Sequence, residues 1–127
     1  MADMKLDVTE FVNRVRARFP REAALTDVWL AERGWEPQES PHIWVEAFAD
    51  RTTDAVRAEN WDLVEAHTGF IAELLRHGSD AVEKLVDVSY AENLMWDLAQ
   101  PEKVQAWPHI NAAIRQLYEQ MWGAPGE

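Results

Sequence analysis

Apolar residues recur at three- and four-residue steps along most of this chain, and such spacing builds a core only if the segments are helices. Val8, Phe11, Val12, Val15 and Phe19 form one stripe; Trp44, Val45, Phe48, Thr52 and Ala55 form another; Val64, Ile71, Leu74 and Leu75 form a third. Few stretches alternate apolar and polar residues as a half-buried strand would. The expectation is an all-α fold, an irregular antiparallel helical bundle of six or seven helices.

Helix boundaries follow from capping chemistry. A first helix starts near Asp7, with Glu10 three residues on, and Pro20 ends it. A second covers about Arg21 to Arg33, burying Ala24, Leu25, Val28 and Trp29, with Gly34 closing it. Ser40-Pro41 opens a third, reaching about Ala58. A fourth runs from about Trp61 to His77. Ser79 or Asp80 caps a fifth that reaches about Leu98 and is apolar almost all round, as a central helix would be. Pro101 opens a short helical turn, and Pro108 a last helix to about Trp122. With 127 residues there is room for one domain, 1–127, with an ordered core over 7–122 and a frayed tail over 123–127.

Charge narrows the partners. The net charge is −11. Residues 1–33 hold six bases and six acids, whereas residues 34–127 hold six bases and 17 acids, so the whole excess lies in the second part. A strongly acidic body repels phosphate backbones, so no nucleic acid is expected as a partner, and a basic protein is favoured. The alternative is that the charge only keeps the domain in solution. No apolar stretch is long enough for a membrane helix, and the opening Met1-Ala2-Asp3-Met4-Lys5-Leu6 lacks the build of a secretory signal, so the expected address is cytoplasmic.

On the third helix, Glu46, Asp50 and Asp54 stack at four-residue steps opposite the apolar stripe, with Thr53 beside them and Ile43 at their end. Like charges so placed cost a few tenths of a kcal/mol per pair, roughly, so helix stability does not account for the stripe. It reads as a partner-binding face, or as a solvated surface relieved by Arg57. Trp35, flanked by Glu36 and Glu39, is either a loop staple or an interface anchor, since tryptophan is enriched at binding hot spots. The proposed contact set is therefore Glu46, Asp50, Asp54, Ile43, Trp35, Glu36 and Glu39. Trp29, Trp44 and Trp96 are expected in the core, as are His67, in a neutral hydrogen-bonded state, and Asn93, pinning a neighbouring loop or helix end.

Chemistry is sparse. There is no cysteine, no glycine-rich phosphate loop and no His-Glu-x-x-His pattern; His42 and Glu46 at four-residue spacing, with His109 far off in sequence, fall short of a metal site. Ser40, Ser79 and Ser89 lack a nucleophile elbow. With 23 acids, paired carboxylates are inevitable and say little about acid–base catalysis. No catalytic residues, cofactor or metal are expected, and the protein is not read as an enzyme.

Four segments carry a resemblance: Phe11-Val12-Asn13-Arg14-Val15 through Phe19-Pro20, Pro41-His42-Ile43-Trp44-Val45, Val86-Asp87-Val88-Ser89-Tyr90-Ala91-Glu92-Asn93-Leu94, and Ile114-Arg115-Gln116-Leu117-Tyr118. Together they resemble a family of small helical bacterial domains of uncharacterised activity, whose members look like the acidic immunity partners of polymorphic toxins. The resemblance implies neutralisation of a cognate toxin domain by occlusion, and brings no site residues with it. The alternative is a small-ligand sensor with a tryptophan-lined pocket between helices.

Overall fold

A computed structural model describes residues 5–126. Among them are seven α-helices: α1 (Val8–Arg18), α2 (Pro20–Glu32), α3 (Pro41–Arg57), α4 (Trp61–Arg76), α5 (Asp80–Leu85), α6 (Gln100–Ala106) and α7 (Ala112–Trp122). A π-helical segment, Val86–Ala91, continues α5, and a 3-10 turn, Trp107–His109, follows α6. No named strand occurs among the described residues; Leu6 makes an isolated bridge with Gly78. The fold is all-α.

Most helices start where a short polar side chain can accept an otherwise orphaned backbone N–H. Asp7 Oδ1 accepts from Glu10 N at 2.8 Å, and Ser40 Oγ from Ile43 N at 3.3 Å. Asn60, Ser79 and Asn111 do the same for α4, α5 and α7. Pro20 and Pro41 occupy the first turns of α2 and α3, where a missing N–H costs nothing. The last helix begins at Ala112 rather than at Pro108, because Pro108 belongs to the 3-10 turn and Ile110 is extended before the Asn111 cap.

The core forms around α3. Trp44, Val45, Phe48, Thr52 and Ala55 are all buried as expected, together with Phe11, Val15 and Phe19 of the first segment and Val64, Ile71 and Leu74 of α4. Trp44 and Phe48 stack with ring centroids 5.5 Å apart. A polar relay crosses this core. Thr52 Oγ1 lies 2.9 Å from His67 Nδ1 and 2.8 Å from Tyr90 OH, and His67 Nε2 faces Glu22 Oε1 at 3.6 Å, beyond hydrogen-bond distance.

Two elements depart from the sequence expectation. In α2 the inward residues are Ala23, Thr26 and Leu30; Ala24 is exposed, Leu25 and Val28 are 50% and 56% exposed, and Trp29 is half-buried. The helix is turned by Asp27, whose carboxylate accepts two N–H groups from Arg16 (2.9 and 2.7 Å) and the Trp44 indole N–H (2.9 Å). Burial pushes this carboxyl up, but the hydrogen bonds from Arg16 and Trp44 and the charge of Arg16 prevail and hold it below its ordinary value. Thr26 is buried without penalty because its hydroxyl donates to Glu22 O at 2.8 Å.

The expected fifth helix to Leu98 is not continuous. After α5 the ladder widens, with Glu92 N donating to Asp87 O, and residues 92–97 form turns. Two side chains take over backbone groups a helix would have used. Asn93 Nδ2 donates to Ser89 O at 2.9 Å, and the buried Thr53 hydroxyl accepts from Met95 N at 2.9 Å. Thr53 therefore does not stand with the acidic face but is 1% exposed. Met95 adopts φ +57°, an uncommon conformation for a non-glycine residue, which buries Leu94 and Met95 and turns Trp96 outward. Trp96 is 63% exposed, so it is not a core residue.

Candidate functional site

Turning α2 and breaking the segment after α5 both bring indoles to the acidic face of α3. Trp29 and Arg33 come from the end of α2, and Trp35 from the loop beyond it. Gly34, at φ +84°, lets the chain reverse so that Trp35 N donates to Leu30 O at 3.0 Å. Ile43, Glu46, Ala47 and Asp50 come from α3, and Asn93 and Trp96 from the turns after the π-helical segment. These nine residues line one groove of about 520 Å³. His42 Nδ1 lies 2.8 Å from Ser89 Oγ, tying the start of α3 to the π-helical segment beneath Asn93.

The electrostatics of the groove are unbalanced. Among the described residues, no Lys, Arg or His nitrogen lies within 4.0 Å of the Glu46 or Asp50 carboxylate. Glu46 is raised above its ordinary pKa by burial, with His42 opposing and Glu92 and Asp50 adding to the rise. Asp50 is raised by burial too, with Arg51 and the Trp96 indole opposing and Asp54 and Asp97 reinforcing. Each carboxylate would gain from an incoming cation. The basic group in the groove, Arg33, is engaged elsewhere: its guanidinium lies 3.7 Å above the Trp29 ring and donates to Trp29 O at 3.0 Å.

The sequence-derived contact set is split by the fold. Glu46, Asp50, Ile43 and Trp35, the last 41% exposed, share the groove. Asp54 does not line it; it pairs with Arg51 at 3.2 Å and Arg57 at 3.0 Å beside a separate cleft that includes Leu25. Arg57 also pairs with Asp97. Glu36 lines a third cleft of about 350 Å³ over Arg16, Asp27 and Trp44, and Glu39 is exposed in the loop. Trp29, Arg33, Ala47, Asn93 and Trp96 complete the groove and were not in that set. The four-residue step from Trp29 to Arg33 is the one local signal for the stacked pair.

The histidines disperse. His42 meets Ser89, His67 is enclosed in the core, and His109 stacks on Trp61 at 4.5 Å and pairs with Glu65 at 2.6 Å. No cluster of three or more His, Cys, Asp or Glu suited to a metal ion occurs among the described residues. No helix among them is long and apolar enough to cross a membrane.

A family model described as "Domain of unknown function (DUF7674)" matches residues 12–123. The chain belongs to the DUF7674 family. The match takes in every residue of the groove and, apart from Leu6 and Phe11, the buried core. No curated protein and no solved structure matches the chain.

Proposed function

We propose that this DUF7674 domain is a protein-binding module that captures a basic partner and blocks it by occlusion, in the manner of an immunity protein neutralising its cognate toxin domain in the cytoplasm. The observation that carries this reading is the pair Glu46, exposed, and Asp50, half-buried, which share one groove rimmed by Trp29, Trp35 and Trp96 with no basic nitrogen in ion-pair contact among the described residues. Exposed indoles at the centre of a contact supply most of the energy in many interfaces, and carboxylates around them steer a basic surface into register. On this reading the domain makes and breaks no bond; its work is to cover a surface.

The test needs the natural partner. The polypeptide encoded beside this chain is co-expressed with it, purified as a complex and titrated back. Reversing Glu46, Asp50 and Asp54 together to lysine is expected to weaken that affinity at least about tenfold. An unchanged affinity removes this face from the account. The groove volume also lies within the range of small-molecule pockets, which favours as a second reading a sensor for a small cationic ligand. That reading expects a ligand to raise the melting temperature and quench tryptophan fluorescence with no protein partner present.

A further inference from the structure

The groove already shows what kind of group its aromatic wall accepts. Arg33 lays its guanidinium on the Trp29 ring at 3.7 Å, although only the Trp29 carbonyl at 3.0 Å and a distant Glu32 carboxylate at 3.9 Å hold it there. A planar, weakly hydrated guanidinium gains from an indole face; an ammonium gains less, because it must shed a tighter water shell. Arg33 does not reach the two carboxylates that line the same groove, so its charge is stacked but not paired with them. Glu46 and Asp50 stand one helical turn apart on α3 and both line the groove, so they offer acceptors on the same side of the helix. Asn93 has both its described hydrogen bonds on the N–H₂ side, to Ser89 O and Val88 O, which leaves its side-chain oxygen free to accept.

We propose that the groove is an arginine receptor: a partner's arginine side chain enters between Trp29, Trp35 and Trp96, displaces Arg33 from the Trp29 ring, and donates to the Glu46 and Asp50 carboxylates. This rests on the partner-binding reading above and names the residue that reading needs. Shape favours arginine over lysine, because flat walls and two acceptors one turn apart match a planar five-donor group and not a compact ammonium. Charge complementarity selects the occupant: Asp54 and Asp97 are already paired with Arg51 and Arg57, whereas neither Glu46 nor Asp50 makes an ion pair among the described residues, so it is these two that are left to receive a cation. Trp96 is presented for this purpose by the strained Met95 and the Thr53 hydrogen bond, which makes Thr53 a positioning residue.

The probe is N-acetyl-arginine methylamide, with N-acetyl-lysine methylamide as its comparison, titrated into the full chain while the indole N–H resonances are followed by NMR. The arginine probe is expected to shift the signals of Trp29, Trp35 and Trp96 together, with a Kd on the order of 1 mM, and to leave Trp44 and Trp61 unmoved. The lysine probe is expected to bind several-fold more weakly. Glu46→Gln with Asp50→Asn should lower the arginine affinity at least about tenfold at an unchanged melting temperature, and Arg33→Ala should raise it a few-fold. Absent or scattered indole shifts, equal response to both probes, or insensitivity to the Glu46 and Asp50 changes would overturn the proposal. If the probe fails while charge reversal still releases the natural partner, the arginine receptor is wrong and the protein-binding reading stands. If the probe binds but no partner does, the receptor stands and the occlusion reading falls.

Discussion

His67 is fully buried between Phe19, whose ring meets it edge-on at 4.5 Å, and Phe48 at 4.8 Å. Burial drives its pKa from 6.5 to about 4, with Glu22 opposing the shift and Arg18 adding to it. The unfolded chain therefore binds the extra proton first, so stability falls as pH drops from 6.5 towards 4 and levels off below. Between pH 7.5 and 5 this one group removes about 2 kcal/mol from the unfolding free energy. Urea titrations across that range should show the loss in the wild type and a shallower one in His67→Gln; equal slopes would contradict the assignment. His67 was legible as a neutral core residue because it falls on the Val64–Ile71 stripe of one helix. The seven tryptophans divided less cleanly. Trp44 belongs to a stripe with a single inward side, whereas Trp96 is turned outward by Met95 at φ +57°, a local backbone state that helical periodicity does not encode.

At the scale of elements, helix starts were readable because a capping oxygen acts within three residues of its donor. Asp7 and Ser40 each accept the N–H expected of them, and of Ser79 and Asp80 it is Ser79 that caps α5. What was not readable depends on partners far away in the chain. In α2, two stripes compete for the inside; the one that wins is chosen by Asp27 through Arg16 and Trp44, 11 and 17 residues away. The segment after α5 opens because Thr53, 42 residues back, accepts from Met95 N. Thr53→Val keeps the shape but orphans that N–H, so it should cost about 1–3 kcal/mol in chemical denaturation and broaden the Trp96 indole signal. A full-stability, sharp-signal variant would show that the turn holds itself. Where Leu6 bridges to Gly78, a Cβ on Gly78 would lie 2.4 Å from Val82 Cγ1, and Val82 is both buried and β-branched. Gly78→Ala should destabilise the fold by about 1–3 kcal/mol as read by thermal or urea unfolding; a neutral result would mean that α5 shifts freely there.

For the whole molecule, the bundle is a frame that sets the end of α2, the middle of α3 and the turns before α6 side by side, and the groove exists only where they meet. The Arg33 stack on Trp29 is local to the end of α2, but the Trp96 wall, and the meeting of both with α3, follow from no one segment, so the sequence pointed to Glu46, Asp50, Ile43 and Trp35 but not to their neighbours. The field around the groove belongs to the whole chain: a net charge of −11, with 17 acids against six bases in residues 34–127. Such a field accelerates the approach of a basic surface, and screening by salt removes the acceleration. The most direct test of the central claim is the association rate of the co-purified partner, measured by stopped flow over a range of ionic strength, for the wild type and for Glu46→Gln with Asp50→Asn. The account predicts a rate that falls steeply with salt in the wild type, and a slower, flatter dependence together with faster dissociation in the variant. Identical rates and salt slopes for the two proteins would contradict it.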